Sequence, residues 1–124
     1  MRDEPTAANL IETARAMLRD RLLPRLPADA RYEALMVANA MAIAARQIAA
    51  GDRPLVEARA RLGAIYAAPD ATNDELVRRF AGDVRAGAFD APGERRTQVF
   101  EHLWRTALAA VAESNPKALD RPAP

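Results

Sequence analysis

The sequence predicts an all-α, single-domain, five-helix bundle with a central apolar second helix. Three observations predict it. Alanine supplies 30 of the 124 residues and is the strongest helix former. Only six valines and four isoleucines occur, and no stretch shows the β-branched alternation of a strand. Proline and glycine divide the alanine-rich chain into segments of helical length.

The elements follow in order. Helix one is expected over Ala7–Leu23, with Thr6 as its N-cap and Leu10, Ile11, Ala14, Met17, Leu18 and Leu22 as its apolar stripe. Pro24 and Pro27 end it. Helix two is expected over Asp29–Ala50, stopped by Gly51. Helix three starts at Pro54, which has no amide to leave unpaired, and stops before Pro69; it carries Leu55, Val56, Leu62, Ile65 and Tyr66. Helix four follows the cap candidate Asn73, runs to Ala86 and is closed by Gly87, burying Leu76, Val77, Phe80 and Val84. Helix five runs from about Pro92 to Glu113 with an i, i+3, i+4 stripe of Val99, Phe100, Leu103, Trp104, Ala107, Leu108 and Val111. Residues 1–113 then form the bundle, with helices one, two and five at its heart, and residues 114–124 a proline-containing tail, loosely held.

Helix two is the unusual one. Its inner stripe reads Tyr32, Leu35, Met36, Asn39, Ala42, Ile43 and Arg46. The opposite face, Val37, Ala40, Ala44 and Gln47, is hardly more polar. A helix apolar on all sides is expected to be surrounded by protein, either inside the bundle or across a subunit interface.

Composition removes many functions. With no cysteine there is no disulfide framework, iron–sulfur cluster, thiolate zinc site or cysteine nucleophile. One histidine excludes any site needing two, including a helical-bundle di-iron centre. No phosphate-cradling glycine loop and no nucleophile-elbow motif occurs. A net charge of +1, with acids interleaved among the arginines, supplies no phosphate-binding face, so nucleic acid is not an expected partner. The longest uncharged helical stretch, Ala34–Ala45, has twelve residues, short of the roughly 20 a membrane span needs. The charged opening, MRDE, is unlike a secretory signal, and a cytoplasmic protein without cofactor or metal is expected.

Four residues remain as candidate binding groups: Asn39, Arg46, Arg85 and His102. Asn39 lies in an apolar stripe with Tyr32 and Arg46 seven residues to either side, so all three share a face. That polar seam reads first as a buried structural network, then as a ligand seam or a register-setting subunit contact. His102 sits beside the stripe of helix five without a triad or metal-pair neighbour, and reads as a half-exposed structural residue. Asp74–Arg78, Glu75–Arg79, Glu57–Arg61 and Glu101–Arg105 are acid-first i, i+4 pairs that would hold four arginines as helix surface. Arg46, Arg85, Arg95 and Arg96 have no such partner, and the last two fall in the first turn of helix five, where the helix dipole disfavours a cation.

Two stretches carry a family resemblance: EPTAANLIETARAMLRDRLLPRLP with VANAMAIAARQIAAGD, and LVRRFAGDVRAGAFD with FEHLWRTALAAVAESNPKAL. Together they resemble a family of short, all-helical bacterial proteins classed as a domain of unknown function. Pro5, Leu18, Pro24, Asn39, Arg46, Arg85, Gly87, His102, Leu103, Asn115 and Pro116 fall on its recurrent pattern. The chain departs from it at Arg46–Gln47, where Arg-Glu is expected, and at Met36–Val37, where Arg-Val is expected. The resemblance implies genes beside, or fused to, those of aminoglycoside- or choline-kinase-like phosphotransferases, and beside acyl-CoA dehydrogenases. It implies no catalytic residues. Two roles are therefore expected. One is a non-catalytic accessory module, paired with such a phosphotransferase or dehydrogenase or with itself through helix two. The other is a binder of an acyl-CoA or its precursor through Asn39, Arg46, Arg85 and His102. An enzyme in its own right is the least favoured reading.

Overall fold

The computed structural model describes residues 4–122; the charged start at Met1–Asp3 and the end of the tail lie outside the described residues. Five α-helices are present: α1 Ala7–Met17, α2 Ala28–Ala50, α3 Arg53–Ile65, α4 Asn73–Arg85 and α5 Glu94–Ser114. No strand occurs among the described residues. The chain divides into two compact units, one ending at Gly51 and the other beginning at Asp52.

In the first unit α1 packs against α2. Thr6 caps α1 as expected, its Oγ1 accepting from the Asn9 amide at 3.2 Å. The α-helix ends six residues before Leu23. Leu18–Leu22 widen into a π turn and Leu23–Arg25 tighten into a 3₁₀ turn carrying Pro24. The seam between the two helices is built from the smallest side chains. Ala34, Ala38, Ala42 and Ala45 are the buried residues of α2. Spacings of four, four and three residues place them on one face. Arg15 on α1 reaches across this seam, its Nε donating to the Ala38 carbonyl at 3.1 Å.

This corrects the expected orientation of α2. Tyr32 is 70 % exposed, and Leu35, Met36, Val37, Asn39 and Ala40 also face outward. The larger apolar side chains would hold a neighbouring helix away. Alanines let α1 approach closely and take the contact instead. Cover on every side of α2 is therefore not observed at Val37 or Ala40, and Asn39 carries no burial cost.

The second unit has a conventional core. Leu62, Tyr66, Leu76, Phe89 and Val99 are buried together, with Ile65, Ala68, Ala71 and Phe80 packed against them. α3 packs on α4 and on α5. Arg53 precedes Pro54 as the first residue of α3. At its far end Ala67 adopts a left-handed φ of 48°, and the Ala68 amide donates back to the Gly63 carbonyl at 2.9 Å, closing the helix. The cap of α4 is Thr72, one residue before the expected Asn73. Its hydroxyl accepts from the Glu75 amide while the Glu75 carboxylate accepts from the Thr72 amide, a full capping box. Gly87, φ 75°, closes α4 as expected. α5 starts at Glu94, two residues after Pro92, and Gly93 caps it. Within the tail, Pro116–Asp120 form a largely exposed 3₁₀ turn next to the end of α5.

Several expected core residues lie outside this core. Leu55, Val56, Val77, Val84, Phe100, Leu103 and Trp104 are all exposed. On α5 the buried residues are Val99 and His102, so the inward face is rotated away from the aromatic stripe.

Candidate functional site

The chemistry-bearing side chains of the second unit gather in three places. The first is His102. It is only 5 % exposed, packed edge-on against the Phe80 ring at 5.4 Å. Burial, reinforced by the charge of Arg61, lowers its pKa below the ordinary imidazole value, so the ring is held neutral. Its Nδ1 and the Nε of Arg61 are buried without a hydrogen-bond partner. Arg61 Nη2 lies 3.4 Å from Thr106 Oγ1, and Thr106 in turn donates to the His102 carbonyl at 2.8 Å. The expectation of a half-exposed histidine beside the core is thus corrected: His102 is part of the buried face of α5, with the Phe80 ring packed against its imidazole.

The second place is Tyr66. Its hydroxyl donates to Asp83 Oδ2 at 2.7 Å. Burial first, then the hydrogen bond to Asp83 and the charge of that carboxylate, push the phenol up to about 12. Arg79 stacks 4.3 Å from the centre of the Tyr66 ring, and Arg95 lies over both Tyr66 and Phe89. These contacts explain two departures. Glu75 is engaged in the capping box, which leaves Arg79 to the aromatic ring instead of the expected ion pair. Arg95, disfavoured by the helix dipole, is held by cation–π contacts. Of the four acid-first pairs, Glu101–Arg105 is the one seen as an ion pair among the described residues; Glu57 lies nearer Arg53, at 4.0 Å.

The third place is a cleft of about 320 Å³ lined by Val84, Phe89, Asp90, Arg96, Val99, Phe100 and Leu103. Arg96 forms one wall. Its Nη1 donates to the Asp90 carbonyl at 3.2 Å, and its guanidinium lies 5.1 Å from the centre of the Phe100 ring. Sequence reasoning set Arg96 apart as an arginine without an acidic neighbour. The cleft itself was not visible there, because it depends on Phe100 and Leu103 turning away from the core.

The four expected binding residues are distributed between the units. Asn39 is exposed on the outer face of α2, and Arg46 is half-buried further along the same helix. Arg85 is exposed at the last residue of α4, and His102 is buried on α5. No hydrogen bond or ring contact joins Arg85 to His102 among the described residues. Nor does any group of three or more histidine, aspartate or glutamate side chains there have the arrangement to hold a metal ion.

Across residues 24–118 the chain matches the family model described as Domain of unknown function (DUF6285). The chain belongs to that family. The DUF6285 match covers all of α2 to α5 and stops just short of the end of the final 3₁₀ turn. No curated protein and no solved structure matches the chain. Membership of DUF6285 fixes no activity, and the functional reading must come from the surfaces and clefts themselves. No single helix among the described residues is long and apolar enough to cross a membrane.

Proposed function

We propose that the chain is a non-catalytic helical interaction module of the bacterial cytoplasm, and that its docking face is the outer face of α2. The observation that carries this reading is the exposure of Tyr32, Leu35 and Met36 on a helix whose buried face consists of alanines. Side chains of this size in one stretch of helix form the kind of apolar patch that marks a protein–protein contact. Tyrosine and methionine are also residues that interfaces favour. Asn39 lies amid them, where a single polar group fixes the register of paired helices at some expense of stability.

A second copy of the chain is the first expected occupant, helix two against helix two. A kinase-like phosphotransferase or an acyl-CoA dehydrogenase is the heterologous partner that the family resemblance suggests. Sedimentation of the purified chain at about 100 μM, alone and with such a phosphotransferase, tests the module. Association that disappears in a Leu35→Glu, Met36→Glu double variant of unchanged helicity supports it. A wild-type chain that stays monomeric and unbound in both mixtures overturns it.

A further inference from the structure

We infer that the cleft between the end of α4 and the start of α5 is a binding site for a small amphipathic monocarboxylate, with Arg96 receiving the carboxylate. The site lies wholly within the second unit and is separate from the α2 face. Apart from Asp90 and Arg96 its lining is apolar: Val84, Phe89, Val99, Phe100 and Leu103. The cation at its edge is held in place without a counter-ion. Arg96 is anchored by the Asp90 carbonyl on one nitrogen and by the Phe100 ring beneath it, and it makes no ion pair among the described residues. A guanidinium has five N–H donors in a rigid fork, and the contact to Asp90 uses one nitrogen. The rest of the fork is available to an acceptor that can take two parallel bonds. A carboxylate has that geometry.

Size and polarity narrow the class. The cleft of about 320 Å³ is at the small end of the range for ligand pockets, ~300–1,000 Å³. At roughly 30 Å³ per position, the share of one water molecule in the liquid, it holds about ten non-hydrogen atoms. Phe89 and Phe100 on the walls suit a flat ring or a short hydrocarbon body. Asp90 also lines the cleft. It is close to the Gly87 turn, where a Cβ on residue 87 would come within 2.8 Å of its Oδ2. A second negative group on the ligand would add to the repulsion from the nearby Asp90 charge, so the site favours a single anionic head. Arylalkanoates of the size of 3-phenylpropionate satisfy all three conditions.

The experiment is a titration of the full chain with 3-phenylpropionate and, separately, with its uncharged isostere 3-phenylpropanamide, followed by two-dimensional NMR. The acid is expected to give saturable shifts at Val84, Val99 and Leu103. The amide is expected to bind at least ~10-fold more weakly, the difference a charge-assisted pair makes. Arg96→Gln is expected to remove the preference for the acid, and Val84→Trp, a change at an exposed position, to block both ligands. Equal affinity for acid and amide, shifts confined to other surfaces, or no saturation at about 5 mM acid would each overturn the assignment. The acid–amide comparison is made on the unaltered chain, so it stands even if a variant fails to fold.

Discussion

The unit ending at Gly51 buries no side chain larger than alanine among its described residues, whereas the unit beginning at Asp52 buries Leu62, Tyr66, Leu76, Phe89 and Val99 in one cluster. Both are helical, and the first is the richer in apolar residues, 29 of 51 against 33 of 73. They are held together differently. The second unit removes large apolar surface from water, which at roughly 25 cal/mol per Å² is the dominant stabilising contribution in a small domain. The first relies on close approach of two backbones along an alanine seam, with one arginine hydrogen bond across it. That arrangement gains dispersion contacts but little burial. It also leaves the larger apolar residues of α2 outward, so the first unit has no core of large side chains among its described residues.

Truncation should expose this difference most strongly. Leu76 is 2 % exposed at the centre of the second unit's cluster. Leu76→Ala is expected to lower unfolding stability by about 3 kcal/mol, from lost transfer energy and the cavity left behind. Denaturant melts of wild type and variant measure it. In the first unit no buried residue is large enough for a comparable loss. The informative change there is enlargement. Ala38, also 2 % exposed, faces α1 at the carbonyl that Arg15 contacts. Ala38→Leu should force the helices apart and cost about 1–3 kcal/mol by overpacking. Meanwhile Met36→Ala on the exposed side should leave stability within about 0.5 kcal/mol of wild type. If Met36→Ala proved as damaging as Ala38→Leu, the account of the seam would be wrong.

The same contrast explains what could be read in the sequence. Helix number, Thr6, Gly51 and Gly87 were legible because caps and stops act locally, through amides and φ angles that a residue type dictates. The facing of the helices was not. Alanine fits an apolar or an exposed position equally well, so an alanine-rich helix presents several faces of similar hydrophobicity. On α2 the stripe of Leu35, Met36 and Ile43 has the greater apolar mass, yet close packing selects Ala34, Ala38, Ala42 and Ala45. On α5 a similar ambiguity turned Phe100, Leu103 and Trp104 outward and brought His102 in. Arg95 and Arg96 both meet aromatic rings: those under Arg95, Tyr66 and Phe89, lie outside α5 and beyond the reach of any i, i+4 rule, whereas Arg96 meets Phe100 four residues along the same helix, a pairing that a search for acidic neighbours passes over.

Two smaller substitutions, of opposite sign, probe the local devices of the second unit. Thr72→Ala removes the hydroxyl half of the capping box and is expected to destabilise by ~1 kcal/mol. Ala67→Gly relieves a left-handed conformation that a side chain disfavours, and is expected to stabilise by about 0.5–1 kcal/mol. Thermal melts of each variant check both signs. Neither change should alter the α1–α2 seam, because the two devices belong to helix ends in the other unit.

The finest distinction between the units is one of pH. His102 belongs to the second unit, and its folded pKa lies below the ordinary value of 6.5 because burial, then Arg61, disfavours the imidazolium. Above about pH 7.5 the ring is neutral in both folded and unfolded chains and contributes nothing to the pH dependence. As pH falls through 6.5 the unfolded chain takes up a proton that the folded chain refuses, so stability declines until the folded pKa is passed. Glu75 acts separately. Its pKa is lowered by the Thr72 hydrogen bonds, and its contribution is lost only below 4.5. Melting the full chain between about pH 7.5 and 5 therefore isolates the histidine. The wild type should lose thermal stability across that window, and His102→Gln, which cannot titrate, should lose less. Identical slopes for the two proteins would mean that the imidazole is solvated in the folded chain, contrary to its place against Phe80.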